Sequence, residues 1–367
     1  MALLKDLYSP SFYKNLANVL ATVMPSFNKQ RFISQIFTND FNTKELKSRM
    51  RHTTEVLHRF MPNDFKSAVK VIEKLIDRLN KNGIGEDGLA YMFIADYVEV
   101  YGQDDFETAV EALETITQFV SCEFAVRPFL VKFNGKMIER MKKWSRHENY
   151  KVRRLASEGS RPRLPWGLGV PALKKDPSPI LPILENLKND PSEWVRRSVA
   201  NSLNDIAKDH PDLMISLARK WKGISRETDA IIKHGSRTLL KKGHREILAH
   251  YGLKSKQVQV SALVIKTPRI KVGEDLIFSF LLENASRTKQ IIRLEYGMYY
   301  QNAKGLWSKK VFKISEKKYP PGEKIKVERK QSFKKITTRI FYPGKHQISI
   351  IVNGEEKVLR PFELGVK

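Results

Sequence analysis

The amino-acid sequence predicts a multidomain α plus β protein, an N-terminal all-α solenoid of helical repeats followed by a C-terminal all-β immunoglobulin-like sandwich. Three observations carry this expectation. Up to about residue 250 the apolar residues recur three and four positions apart, beyond about residue 255 they alternate, and within the first stretch a Val-basic pair opens successive amphipathic segments. The first spacing lays one apolar stripe along a helix; the second puts every other side chain on one face of a strand. The expected domains are 1–252 and 257–367, joined through "GLKSKQ".

The helical half is read from its repeats. "FAVRPFLVK" (from Phe124), "YKVRRLASE" (from Tyr150), "EWVRRSVAN" (from Glu193) and "AIIKHGSRT" (from Ala230) place Val126-Arg127, Val152-Arg153, Val195-Arg196 and Ile232-Lys233 in register, at spacings of 26, 43 and 37 residues. Each follows another amphipathic segment, "ETAVEALETITQF", "KMIERMKKWSRH", "PILPILENLKND" or "DLMISLARKWKG". Paired helices returning at this period are the mark of a HEAT-like solenoid, in which the second helices line up as one wall. A cation at the same point of each second helix makes a ladder suited to a polyanion. The plain alternative is that each cation bonds to a neighbouring repeat.

The second half is read from strands and turns. "VQVSALVIK", "IRLEYGMYY" and "HQISIIVNG" are rich in β-branched and aromatic residues and are separated by turn signals such as "PPGEK", "YPGK" and "NGEE". About seven short strands are expected, arranged as a sandwich without the usual disulfide, with a small barrel as the other closure.

Composition narrows the partners. The 66 Lys and Arg exceed the 40 Asp and Glu by 26. Nucleic acid is the first partner to consider, because cations along a phosphate backbone gain affinity by releasing counterions; an anionic membrane surface is second. Residues 254–367 hold 25 Lys and Arg against 10 Asp and Glu, a net +15. "WSKKVFKISEKKY" and "VERKQSFKKITTR" concentrate this charge, with Trp307, Phe312 and Tyr319 interleaved. This domain is therefore expected to clamp DNA, the alternative being a charged sheet that keeps the protein soluble. Cys122 is the only cysteine, so neither an intrachain disulfide nor a cysteine zinc cluster can form. Lys5 and Asp6 interrupt the N-terminal apolar run, and no later stretch is long and apolar enough to span a bilayer, so a cytoplasmic location is expected. No Walker-type or dinucleotide glycine pattern and no HExxH spacing occurs, so neither a cofactor nor a metal is expected. His147 and His234 are candidate neighbours of phosphate.

"KVRRLASEGSRPRLPWG" (Lys151–Gly167), with "SCEFAVRPFL" (from Ser121) and "DPSEWVRRSVANSLNDIAKDHPD" (from Asp190), resembles the AlkC and AlkD family of bacterial DNA glycosylases, most closely its AlkC branch. The likeness covers nearly all of residues 1–250, and the β domain resembles the immunoglobulin-like extension of some AlkC proteins. The resemblance implies a monofunctional DNA glycosylase of base excision repair, without lyase activity. It would hydrolyse the N-glycosidic bond of cationic N3-alkylated bases such as 3-methyladenine and 3-methylcytosine. It further implies a monomer acting on double-stranded DNA at the bacterial nucleoid. Glu123 and Asp205 fall on acidic catalytic positions of that family, and Glu158 follows closely.

The chemistry asks for the same groups. A cationic base is already a good leaving group and needs little acid catalysis. It calls for carboxylates that stabilise the oxocarbenium-like sugar and orient water, and for an electron-rich ring that attracts the cation. Glu123, Glu158 and Asp205 lie in or beside three successive second helices and should converge. Trp166, held half-buried between Pro162 and Pro165 on one side and Gly167 on the other, is the lesion-recognition candidate. Arg127, Arg153, Arg154, Arg161, Arg163, Arg196, Arg197, Lys233 and Arg237 are the DNA-binding candidates, with Arg161 and Arg163 expected to point outward around Pro162. Each acid also has a plainer reading: Glu158 as an i,i+4 partner of Arg154, Glu123 as a first-turn acid, Asp205 as a solvated residue. The rival from another class is a non-enzymatic HEAT scaffold for nucleic acid or an acidic protein, for which the three acids need not converge.

Overall fold

The computed structural model describes residues 3–84, 88–336 and 339–365. The chain forms two compact units, Met1–Gly235 and Ser236–Lys367. The division falls earlier than the 252/257 linker suggests, because two short helices group with the strands that follow them.

In the first unit the helices begin where polar side chains can take the first orphan amide protons. Ser9, Asn28, Asp64 and Asp105 each accept from the backbone N–H three residues on, opening Pro10–Val23, Lys29–Ile36, Phe65–Lys81 and Phe106–Ile116. Two layers result. The helices Leu46–His58, Met92–Tyr101, Val126–Trp144, Tyr150–Gly159, Glu193–Asp209 and Arg226–Gly235 pack one against the next, and behind them Pro10–Val23, Phe65–Lys81 and Phe106–Ile116 do the same. The repeat register is real: Val126, Val152, Val195 and Ile232 are all buried. "FAVRPFLVK" and "KMIERMKKWSRH", expected as separate helices, run on as one and are broken only by a kink at Asn134 (φ 29°, ψ −102°). A second repeat signature is visible only in three dimensions. Trp144 and Trp221 both end a helix, both are buried, and each indole N–H donates to a glutamate of the repeat before it, Glu114 and Glu185.

Among the described residues the second unit holds eight strands. These are β1 (Val258–Ile265), β2 (Arg269–Lys271), β3 (Asp275–Asn284), β4 (Gln290–Gln301), β5 (Trp307–Tyr319), β6 (Lys324–Ser332), β7 (Gly344–Val352) and β8 (Glu355–Gly365). One more strand is present than the alternation suggests, since the three-residue β2 is too short to show a period. They form a sandwich of a three-stranded sheet, β1-β3-β6, and a five-stranded sheet, β2-β8-β7-β4-β5, antiparallel except for β2 beside β8. Phe278, Phe280, Leu294, Met298, Ile348 and Val352 fill the space between.

The β7–β8 hairpin turns on Asn353-Gly354, both at positive φ (48° and 79°), the two-residue turn whose twist suits the strands. It also holds the preceding helical tail. Asn353 Nδ2 donates to the Lys254 carbonyl at 2.6 Å, and a Cβ on Gly354 would stand 2.7 Å from Leu248 Cδ1. That packing is why Arg237–Lys241 and Arg245–His250 belong to the β unit.

The basic runs map onto sheet edges: β5 closes one side of the five-stranded sheet and β6 one side of the other. Lysines there also discourage edge-to-edge pairing with another chain, a role the charge count alone does not reveal. Of the interleaved aromatics, Tyr319 is buried in the core and Phe312 stacks on Tyr296 at 5.0 Å; Trp307 is exposed. Among the described residues no helix is long and apolar enough to cross a membrane.

Candidate active site

The Tyr150–Gly159 helix stops at a segment rich in proline, and the chain then wraps back over the helix ends as the loop 160–170. Pro162 and Pro165 cannot donate amide protons to continue a helix. The loop roofs one side of a cavity of about 530 Å³. Glu123, Phe124, Glu158, Arg161 and Trp166 line it with Tyr8, Lys47, Met50 and Met92. It is apolar on the side of the first helices, apart from Lys47, and charged on the other.

Arg161 organises the charged side. Its Nη1 donates to Glu158 Oε1 at 2.7 Å and its Nε to Asp205 Oδ2 at 2.8 Å. All three residues are buried. Burial pulls the guanidinium towards neutrality, but Glu158 and Asp205 outweigh it and hold the cation more firmly than usual. Asp205 also accepts from Lys208 at 3.0 Å. Glu123 is half-buried and accepts from Ser121 Oγ at 2.7 Å and Arg154 Nη1 at 2.8 Å. Glu123 and Glu158 are thus carboxylates with their rotamers fixed by cations, and they face a partly apolar cavity.

Several expectations need correction. Glu158 is not the helical partner of Arg154: Arg154 reaches across to Glu123, and Glu158 turns to Arg161. Asp205 is not solvated but 1 % exposed, and it stands behind Arg161 rather than on the cavity wall. Arg161 points inward, because two buried acids need its charge more than solvent does. Arg163 does face outward, where it is held in a bidentate pair with Asp209 at 2.6 and 2.9 Å.

The cationic ladder is largely a set of struts. Arg127 is fully buried and donates to the carbonyls of Gly159, Arg161 and Leu168, so it ties both ends of the loop. Burial, and then Arg161, push its pKa down to about 10. Arg153 donates to the carbonyls six and five residues before it, His147 and Glu148, and pairs with buried Asp190. Arg196 repeats this on Asp190 and Pro191 at 2.7 Å each. Arg153 and Arg196 thus close the turns leading into their own helices, whereas Arg127 spans to the loop that follows Gly159. These backbone bonds engage all three arginines within the protein, and Arg127 is fully buried.

Arg197 is exposed and stacks over Trp194 at 5.5 Å, an exposed indole that the sequence reading passed over. Lys233 and Arg237 are half-exposed, on the helices Arg226–Gly235 and Arg237–Lys241. His147 accepts from the Asn149 amide, so it shapes a turn.

Trp166 is not half-buried: 73 % of it is exposed. It sits in the turn Leu164–Gly167, closed by Gly167 N–H to Leu164 O at 3.2 Å, at the position after Pro165. Its φ of 63° is left-handed, where such turns favour glycine. The loop spends backbone strain to raise an indole at the cavity mouth. Trp166→Gly should therefore raise stability by about 0.5–1 kcal/mol, since little packing is lost and the strain is relieved. Thermal or urea unfolding would show it, and a loss of stability would mean that the exposed indole packs more tightly than its surface suggests.

Comparison with known proteins agrees with this architecture. Residues 34–238 match the family model described as DNA alkylation repair enzyme, and residues 259–366 match the model of the C-terminal Ig-like domain of the uncharacterised protein YhaZ. YhaZ of Bacillus subtilis (strain 168) is 43% identical over 365 residues, which is 99% of this chain and all of that one. The solved structure of the Pseudomonas fluorescens alkylpurine DNA glycosylase AlkC, bound to DNA containing an abasic site analogue, superposes with a TM-score of 0.93 at 34% identity, covering 99% of this chain and 100% of that one. With one repair-family model spanning more than half of its length, and a close fold match along all of it, the chain belongs to the DNA alkylation repair enzyme family.

Proposed function

We propose that the protein is an AlkC-type DNA glycosylase that hydrolyses the N-glycosidic bond of cationic N3-alkylated bases, 3-methyladenine and 3-methylcytosine, and leaves an abasic site without cutting the strand. The observation that carries this reading is the cavity that gathers Glu123, Glu158 and Trp166 in a protein whose net charge is +26. A scaffold for acidic partners has no reason to orient buried carboxylates towards an open cavity. The likeness to a DNA-bound alkylpurine glycosylase supports the same reaction class.

In this reading Glu158, fixed by Arg161, stabilises positive charge as it develops on the sugar. Glu123, fixed by Arg154 and Ser121, orients water. Asp205 acts through Arg161, setting its position rather than meeting the substrate. Trp166 offers its face to the charged base, a contact worth about 1–2 kcal/mol when desolvated. Trp166→Gly should therefore lose that much discrimination between methylated and undamaged duplex, although the protein folds at least as well. Equal weakening on both duplexes would remove the indole from lesion recognition.

Phosphate contacts fall to the exposed cations, Arg163 and Arg197 in the helical unit and the lysines of the β unit. Within the β unit Lys241, Lys242, Lys309 and Lys310 line one basic pocket with Thr238 and Val311. Replacing Lys242 and Lys310 by alanine should make the dependence of log affinity on log salt shallower by about 1.8, since each lost contact removes about 0.9. An unchanged slope would assign these lysines to solubility and edge protection.

A further inference from the structure

The cavity already contains a cation over an aromatic ring. Lys47, on the helix Leu46–His58, holds its ammonium 4.5 Å from the centroid of the Phe124 ring and donates to the carbonyl oxygen of Trp166. Lys47, Phe124 and Trp166 line the same cavity as Glu123 and Glu158. Phe124 directly follows Glu123 and is half-exposed, so its ring face is part of the cavity wall. Lys47 is exposed and carries a flexible four-carbon stem, so its ammonium can swing into water. The ring face of phenylalanine attracts cations of any source.

We propose that Phe124 is a second recognition surface for the charged base and that Lys47 is its resident competitor, so that the ring supplies preference for positive charge and the ammonium lowers the affinity of the site for any base that enters. The inference rests on the glycosylase reading of the site. A cationic base that takes the place of the ammonium over Phe124 exchanges one cation–π contact for another. A neutral base of the same shape must displace the ammonium and restores nothing to the ring. Both bases meet the cost of displacing the ammonium, so the discrimination comes from the contact that only the charged base makes with the ring. The bond from Lys47 to the Trp166 carbonyl links the exchange to the loop that carries the indole, so departure of the ammonium also releases the cavity mouth.

The test uses two lesions of one shape. 3-Methylcytosine carries a positive charge in DNA at neutral pH, and 3-methyluracil is its neutral counterpart. Affinities of the full-length protein for duplexes holding one or the other are compared in a Glu158→Gln background, which prevents turnover. Phe124 should contribute about fivefold to the preference for the 3-methylcytosine duplex, the scale of one partly desolvated cation–π contact, beside the contribution of Trp166. Phe124→Leu should lower the preference by that factor. Lys47→Met should tighten both duplexes by a similar factor and leave the preference unchanged, whereas Lys47→Arg, which restores a cation over the ring, should keep both affinities near those of the parent. Phe124→Leu leaves the bond to the Trp166 carbonyl untouched, so a loss of preference in Phe124→Leu but not in Lys47→Met assigns the effect to the ring face and not to the loop. Matching thermal midpoints exclude a folding defect. A preference that is absent at the outset or unchanged in Phe124→Leu, or affinities that Lys47→Met leaves unchanged, overturn the proposal. Base release by the unsubstituted protein is measured alongside: its absence would overturn the glycosylase reading itself, whatever the affinity ratio.

Discussion

Glu158→Gln should lower single-turnover release of 3-methyladenine by about 100-fold or more, with DNA affinity unchanged or slightly higher. The scale is that of removing one preorganised electrostatic contact from a water-poor site, about 10²–10³ in rate. The size follows from placement. Glu158 lines the cavity, is buried, and is held at 2.7 Å by Arg161, so its charge is fixed before the sugar becomes positive. Glutamine keeps the shape and can still accept from Arg161, which retains Asp205 as a charged partner. Removing a negative charge near phosphates cannot weaken the counterion contribution to binding. Glu123→Gln should lower release less, because Glu123 is more exposed and solvent screens it. Full activity in Glu158→Gln would exclude the carboxylate from the reaction.

Arg161→Met should cost about 3–5 kcal/mol of stability, the penalty for leaving buried charge uncompensated, and should abolish base release. Lys208 can offset part of this at Asp205, but among the described residues Arg161 is the cation that pairs with Glu158. The loss should depend on pH in a definite direction. Without the cation, burial raises the carboxyl pKa values of the folded form above their unfolded values. Folding then binds protons, so the variant is least stable above the raised pKa and recovers as pH falls towards it. Urea unfolding at several pH values checks the sign. A variant that is as stable as the parent at neutral pH, or that weakens as pH falls through the carboxylate range, would contradict the buried triad.

The repeats were legible because Val126, Val152, Val195 and Ile232 must all be buried, and burial leaves a periodic trace. The strands were legible through alternation and through Asn353-Gly354, whose conformational needs few other pairs meet. Partners were not. Three arginines in one register read as a ladder for phosphate, yet Arg127, Arg153 and Arg196 bond to backbone carbonyls, an acceptor that every residue carries and that no spacing announces. Arg154 and Glu158 stand four apart on one helix face but each finds a stronger partner in another segment. Arg161 was misplaced for a related reason: proline neighbours argue for an extended loop, and only the fold shows two buried acids beneath it. Lys47 could not be found from sequence at all, since 77 positions separate it from Phe124. The exposed Trp166 was singled out by its motif, while the positive φ that raises it is visible only in the backbone.

The most direct test of the central claim is to incubate the purified full-length protein with methylated duplex DNA and to identify the released bases by chromatography, with Glu158→Gln as the control. The unsubstituted protein should release free 3-methyladenine and 3-methylcytosine and leave abasic sites in otherwise intact strands, with release reduced by about 100-fold in the control. Tight binding to the same DNA with no base released would contradict it and would leave a protein that holds damaged DNA without acting on it.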